Sequence, residues 1–343
     1  MSVESRLPER RAIGWYDGKI QFIDQGKLPH DFEVVETYDW RVLEAAIKSL
    51  SVRGAPLIGI AAALAVAAFA QKSQQRVDIA NVIQQLRRTR PTAVNLFWAL
   101  DRMNTVLHMS PEADLAEVML KEALDILQDD EARCAAIGEA GQDVIEQSSR
   151  IITVCNTGFL ATGGDGTALS IVYKAHDLGK EVHLTACETR PLLQGARLTA
   201  WELQQSRIPF QVIVDSAAAG LIRQGEVDVC IIGADRIAKN GDVVNKIGSY
   251  QLALACARHN VPYYVAAPFS TVDFDTPNGE SIEIEYRVPE EVTSVMGVKV
   301  APEGIKALNP AFDLVPHELI DGIITEKGIY RVSEFEELSS VGE

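Results

Sequence analysis

The 343-residue sequence has no close pair of cysteines, no apolar run long enough to span a bilayer and no long basic stretch. Its five cysteines stand at 134, 155, 187, 230 and 256. Zinc ribbons and redox pairs place their ligands roughly two to four residues apart, so both are excluded, and Cys134, Cys230 and Cys256 read as core packing among Ala and Ile. The most apolar stretch, Ala55 to Ala70, is rich in alanine and shorter than the ~20 residues a bilayer requires, which predicts a buried helix. The start, MSVESRLPERR, has no apolar signal core, so a cytoplasmic protein is expected. Basic residues number 32 against 48 acidic ones, for a net charge of −16. Such a field argues against a non-specific grip on nucleic acid or anionic lipid, and neither partner is expected, although a local basic pocket remains open.

Catalytic signatures are also missing. The six histidines show no HExxH or other metal spacing and read as surface or core residues, and no G-x-S-x-G elbow follows a strand. The glycine-rich segment 158–167, GFLATGGDGT, has neither the dinucleotide fingerprint nor the lysine of a phosphate-binding P-loop. It reads as a wide turn over a sheet edge or, functionally, as backbone N–H groups lining an anion site.

What is present is an ordinary globular composition, 47% hydrophobic and 23% charged, on a chain long enough for two domains. The pattern changes near residue 150. Before it, GWYDGKIQFIDQGKLP and FEVVET alternate like a small antiparallel unit turning at Asp17-Gly18 and Gln25-Gly26. Helical periodicity follows at Trp40–Leu50, Pro56–Gln71, Asp78–Arg88, Ala93–Met109 and about Pro111 to Ile145. After it, apolar runs at 151–155, 181–188, 210–215, 227–235 and 261–268 alternate with helical stretches at about Thr167–Leu178, Gln194–Gln205, Ala217–Gln224 and Ile247–Arg258. Strands without internal polarity, separated by helices, predict a parallel sheet covered on both faces. The tail adds IEIEYRV, DLVP and GIITEKGIY as edge strands and loops, then an acidic, frayed end. The reading is α/β: a mostly helical N-terminal domain, 1–145, and a Rossmann-like C-terminal domain, 146–343, with the active cleft between them.

In an open parallel sheet, ligands bind beyond the C-terminal strand ends. Those ends carry Cys155-Asn156-Thr157-Gly158, Cys187-Glu188-Thr189-Arg190-Pro191 with Gln194 following, Asp215-Ser216, and Gly233-Ala234-Asp235-Arg236. Asn245 and Lys246 precede the next helix. Asp215 also reads as a solvated strand end or a helix N-cap. In the N-terminal half, Arg53-Gly54-Ala55-Pro56 and Arg90-Pro91-Thr92 each set an arginine before a proline-marked helix start. Helix N-termini beside guanidinium groups suit a phosphate, and Lys246 would be a third cation.

Six ordered motifs, from Ser51-Val52-Arg53-Gly54-Ala55-Pro56 and Arg90-Pro91-Thr92-Ala93-Val94-Asn95-Leu96 through Cys155-Asn156-Thr157-Gly158, Arg190-Pro191 to Thr199, Gly233-Ala234-Asp235-Arg236 and Asn245-Lys246-Ile247-Gly248-Ser249-Tyr250, resemble the S-methyl-5-thioribose-1-phosphate isomerase family. That family is related to the regulatory subunits of eukaryotic initiation factor 2B, and the resemblance runs from about residue 12 to 332. One departure is Val154, where the family often has a histidine before the cysteine. The resemblance implies conversion of a ring-closed aldose 1-phosphate to the open ketose in methionine salvage, by a homodimer that needs no metal or organic cofactor. It implies Cys155 and Asp235 as catalytic residues and Arg53, Gly54, Ala55, Arg90, Gln194, Asn245 and Lys246 as substrate binders. Asp235 would protonate the ring oxygen while Cys155 relays a proton, or Asp235 would open the ring to an oxocarbenium that Cys155 stabilises during a hydride shift. A general acid needs a pKa raised well above ~4, and the apolar run before Asp235 predicts a low-dielectric setting for it. The alternatives are an isomerase of 5-deoxyribose 1-phosphate or ribose 1,5-bisphosphate, and a non-catalytic regulatory subunit. Retention of Cys155, Asp235 and the arginines argues against the last.

Overall fold

The computed structural model describes residues 7–73, 75–90, 93–111, 114–331 and 334–335. Pro91, Thr92 and most of the acidic tail therefore lie outside the described residues. The chain forms two compact units, one of residues 1–135 with 157–166 and the other of 136–156 with 167–343.

The first unit opens with an antiparallel sheet of β1 (Ile13–Tyr16), β2 (Lys19–Ile23) and β3 (Val34–Thr37). Asp17 and Gly18 both have positive φ, as the tight hairpin turn pairing Tyr16 with Lys19 requires. Helix α1 (Trp40–Ser49) is capped by the Asp39 carboxylate, which accepts from the Arg41 N–H. Helix α2 (Ala55–Ala70) is buried on nearly every side, as its uniform apolarity predicts. Helices α3 (Arg76–Arg87) and α4 (Val94–Met109) follow, then α5 (Leu115–Gly141), within which the chain passes into the second unit. Gly59 on α2 lies so close to α4 that a Cβ there would meet the Asn95 carbonyl oxygen at 2.6 Å. This contact sits about one turn into α2 and within the first turn of α4, so the two arginine-bearing helix entrances belong to one packed pair.

The second unit is built on a seven-stranded sheet of β4 (Ser148–Thr153), β5 (Glu181–Cys187), β6 (Phe210–Ile213), β7 (Val229–Ile232), β10 (Tyr263–Ala266), β15 (Gly322–Thr325) and β16 (Gly328–Tyr330). Their order is β16-β15-β10-β7-β4-β5-β6, and only the β15–β16 pairing is antiparallel. Sequence order runs outward from β4 in one direction to β5 and β6, and restarts on its other side with β7. The β4–β7 junction is therefore the topological switch point of a Rossmann-like sheet, where α/β proteins bind ligands. Helices α6 (Ala168–Asp177), α7 (Ala200–Gln205), α8 (Ala218–Arg223) and α9 (Ser249–His259) follow the expected alternation. The helix expected to start at Gln194 begins as a π-helical turn, Gly195–Thr199, leading into α7.

Three expectations for the tail and its surroundings change. The segment IEIEYRV forms no strand; its pairing is limited to a bridge between Tyr286 and Pro310, with backbone bonds from Arg287 to Asn309 and from Ala311 to Glu285. Strand β15 is an inner parallel strand rather than an edge, and β16 takes the edge as its hairpin partner. A second sheet, unforeseen, joins β11 (Val272–Asp273), β8 (Arg236–Ala238), β9 (Val243–Lys246) and β14 (Phe312–Val315) in that order. The remaining elements are the short helix α10 (Glu290–Thr293) and the ribbon of β12 (Ser294–Val295) and β13 (Val298–Lys299).

Candidate active site

Beyond the switch point, the ends of β4, β5 and β7 bring polar residues together by register. Ile152 on β4 pairs with Cys230 on β7, and Thr153 pairs with Ala186 on β5. By the same register, position 155 corresponds to Gly233 beyond β7 and to Glu188 beyond β5. Asp235 comes two residues later, where the chain leaves β7 for β8; its N–H donates to the Val244 carbonyl at 2.9 Å. It is half-buried rather than enclosed, at a bend between the two strands.

Cys155 is 8% exposed and has a left-handed backbone, φ +67°. Such a φ is sterically costly for any residue with a Cβ, and among the described residues glycine fills ten other positive-φ positions. The Cys155 N–H donates to Thr189 Oγ1 at 2.8 Å, and its carbonyl accepts from Thr199 Oγ1 at 2.7 Å. Next to it, the Asn156 side-chain amide donates to Glu202 Oε1 at 2.7 Å, and Tyr173 donates its hydroxyl to Glu202 Oε2 at 2.8 Å. Glu202 is fully buried, so this carboxylate depends on those donors. Val154 is buried in the same hydrophobic core as Ile152, Cys187 and Leu252. Cys187, by contrast, is an inert thiol: burial, with Asp215 and Glu188 nearby, pushes its pKa up to about 12.

Gln194 is 7% exposed, and its buried Oε1 has no hydrogen-bond partner among the described residues. The neighbouring Gly195 is packed so tightly on the end of β5 that any Cβ would overlap the Cys187 carbonyl oxygen. Asn245 and Lys246 precede α9, as expected, and are strand residues of β9. Asn245 donates to Ser249 Oγ at 2.9 Å, and Lys246 donates to the Ala311 carbonyl at 3.2 Å with its ammonium 4.7 Å from the Phe312 ring centre. Asp313, unnoticed in the sequence, accepts the N–H groups of Gly248 and Tyr250 and so caps α9; burial raises its pKa.

In the first unit, Gly54 is the N-cap of α2, with φ +103°, and a Cβ there would lie 2.5 Å from Ala161 Cα. Arg53, Ala55 and Arg90 are half-buried at the starts of α2 and α4. The glycine-rich segment belongs to this unit rather than to a sheet edge: Gly158 and Gly166 bridge each other, and the Gly163 N–H donates to Asp130 Oδ2 at 2.7 Å. The anion received by that N–H is thus the protein's own. Burial raises the Asp130 pKa to about 6.

Asp242, His317 and Glu318 offer ligand atoms within 4.8 Å of one another. Asp242 is already engaged by Asn240 Nδ2, the Gly279 N–H and both the N–H and Nδ1 of His317, as expected of a loop staple.

Residues 51–332 match the Initiation factor 2 subunit family, and the chain belongs to it. Within it, the chain is 46% identical over 340 residues to the methylthioribose-1-phosphate isomerase of Geobacter sp. (strain M21), covering 96% of this chain and 98% of that protein. It also superposes on the crystal structure of 5-methylthioribose 1-phosphate isomerase from Pyrococcus horikoshii OT3 with a TM-score of 0.91 at 37% identity, over 98% and 97% of the two chains. The structure described as translation initiation factor eIF-2B, subunit delta, from A. fulgidus matches with a TM-score of 0.85 at 38% identity, over 95% and 99%.

Proposed function

We propose that this protein is an aldose–ketose isomerase that converts ring-closed 5-methylthioribose 1-phosphate into open-chain 5-methylthioribulose 1-phosphate in methionine salvage. Near-full-length identity to isomerases of that name carries the reading. Cys155, a side-chain-bearing residue at a position whose backbone suits glycine, gives it a chemical centre.

The anomeric carbon carries a phosphate, so no free aldehyde is available to acidify C2. The C1–O4 bond must break as O4 gains a proton, hydrogen must move from C2 to C1, and O2 must lose its proton. The phosphate ester stays intact throughout. Asp235 supplies the proton to O4, and Cys155 either relays the proton from C2 to C1 or stabilises positive charge while hydride crosses directly. Arg53, Arg90 and Lys246 bind the phosphate, helped by the α2 N-terminus at Gly54 and Ala55, where backbone N–H groups and the helix dipole favour an anion. Gln194 and Asn245 bind the sugar hydroxyls; the unpartnered Gln194 Oε1 supports that role as a buried acceptor. The domain division at about residue 145, a homodimeric state and a cytoplasmic location belong to the same proposal, and light scattering after size exclusion tests the oligomeric state.

Purified protein incubated with methylthioribose 1-phosphate, 5-deoxyribose 1-phosphate and ribose 1,5-bisphosphate, with ketose formation monitored, tests the reading. Turnover of the first or of both 5-deoxy sugars supports it, because a small apolar pocket separates such analogues by only ~1–3 kcal/mol; turnover of the bisphosphate alone refutes it. With C2-deuterated substrate, loss of label to solvent identifies the proton relay and retention identifies the hydride shift.

A further inference from the structure

Cys155 and Thr189 lie at the ends of adjacent strands and share an unusual pairing: both are non-glycine residues in the left-handed region, at φ +67° and +65°, and they are hydrogen-bonded to each other. For a β-branched residue this conformation is a genuine outlier. Strain of this kind persists only where the surroundings over-determine it, and it clusters at sites whose geometry matters.

The over-determination is visible. Thr189 is fully enclosed, and its hydroxyl accepts the Cys155 N–H while donating to the Cys187 carbonyl at 3.0 Å. The backbone of Thr189 is fixed in turn by Asp215, whose two oxygens accept the N–H groups of Thr189 and Arg190 at 2.8 and 2.7 Å. On the other side of Cys155, the fully buried Thr199 hydroxyl holds its carbonyl. Both peptide groups flanking the Cys155 Cα are therefore anchored by threonine hydroxyls from different elements. A turn needing only positive φ would take glycine without strain. Cysteine must keep its thiol at position 155, and position 189 needs a hydroxyl that can accept and donate at once.

We propose that Thr189, braced by Asp215, is a positioning residue for Cys155: it holds the left-handed backbone that sets where the thiol meets the sugar. This rests on the reading of Cys155 as the reacting thiol. Relaxation of φ out of the left-handed region swings Cβ, and with it Sγ, to another side of the backbone. A displacement of about 1 Å at a reacting group costs ~100-fold in rate.

The test compares Thr189→Val, which keeps shape and loses the hydroxyl, with Thr189→Ser, which keeps the hydroxyl. Two readouts are taken: kcat and KM with methylthioribose 1-phosphate, and the pH dependence of Cys155 modification by methyl methanethiosulfonate, with Cys155→Ala as the blank. Thr189→Val should lower kcat by ~10–100-fold, leave KM within about threefold and displace the modification curve along the pH axis. Thr189→Ser should recover kcat to within about threefold of wild type. Retention of wild-type kcat and an unmoved curve in Thr189→Val would overturn the proposal. So would a Thr189→Ser variant as impaired as Thr189→Val, because the loss would then belong to packing. If Thr189→Val does not fold, Thr189→Ala, which also loses the hydroxyl but not through a β-branched side chain, replaces it: the same kcat loss supports the proposal and wild-type kcat overturns it. The modification curve needs no turnover, so a displaced curve in a protein inert toward the sugar phosphate strikes the isomerase reading alone. Normal turnover with an unmoved curve strikes the positioning role alone.

Discussion

Asp130 offers the most quantitative test of the fold's electrostatics. Its carboxylate, fully enclosed on α5, accepts the Gly163 N–H and lies 3.8 Å from the Cys134 thiol. Burial raises its pKa from 3.8 to about 6, the Gly163 N–H opposing the shift only in part. The native state thus holds this proton more tightly than the unfolded chain. The resulting stabilisation is fully present below pH ~3.8 and is lost as pH rises through ~6, amounting in all to about 3 kcal/mol at 1.36 kcal/mol per pKa unit. Between pH 4.5 and 8 the loss is about 2 kcal/mol. Asp130→Asn removes the titration while keeping an acceptor for Gly163; its new amide N–H group, if unsatisfied, costs a constant ~1–3 kcal/mol. That constant cancels when one follows how the variant-minus-wild-type difference changes with pH. In thermal melts from pH 4.5 to 8, the variant's Tm should gain on the wild type by several degrees, at roughly 2–4 °C per kcal/mol. A difference that stays flat over that range would refute the assignment of a buried, proton-retaining Asp130.

Asp235→Asn should preserve folding and substrate affinity while lowering kcat by ~10²–10⁴-fold in the isomerase assay, and near-normal turnover would remove Asp235 from the chemistry. Arg53→Ala should raise KM for the phosphorylated sugar roughly tenfold or more, with the melting curve unchanged; an unaltered KM argues against a phosphate cradle at α2. Gly195→Ala should destabilise by more than ~4 kcal/mol, visible as loss of soluble protein or a collapsed Tm, because its Cβ has no position clear of the Cys187 carbonyl. A well-folded Gly195→Ala protein would mean that this turn is looser than described.

Much of the architecture was legible because it is written in local periodicity. Helix α2 declared itself by uniform apolarity, and the Asp17-Gly18 hairpin by its turn residues; β4, β5, β6, β7 and β10 showed as short, mostly apolar runs. Proline and glycine marked the start of α2. Strand β9 was hidden because Asn245 and Lys246 carry too much polarity to read as strand, and its pairing with β14 spans 65 residues or more of intervening chain. IEIEYRV misled in the opposite direction: its alternation suits a strand, but a strand needs a neighbour, which no local pattern supplies.

The candidate site residues divide in the same way. Sequence alone fixed which chemical groups stand at the strand ends, since a strand's boundary and its first polar residues are neighbours in the chain. Cys155, Asp235 and Gln194 became candidates on that basis. Only the folded chain decided which strand lies beside which, and hence that β4 and β7 flank the switch point. It also decided that the hydroxyl of Thr189, 34 residues from Cys155, receives that cysteine's N–H, that Thr199 donates to its carbonyl, and that Glu202 accepts from the neighbouring Asn156. A hydroxyl carries no periodicity, and a left-handed φ leaves no trace when the residue is not glycine. Such features arise from contacts made between distant segments once the sheet has assembled.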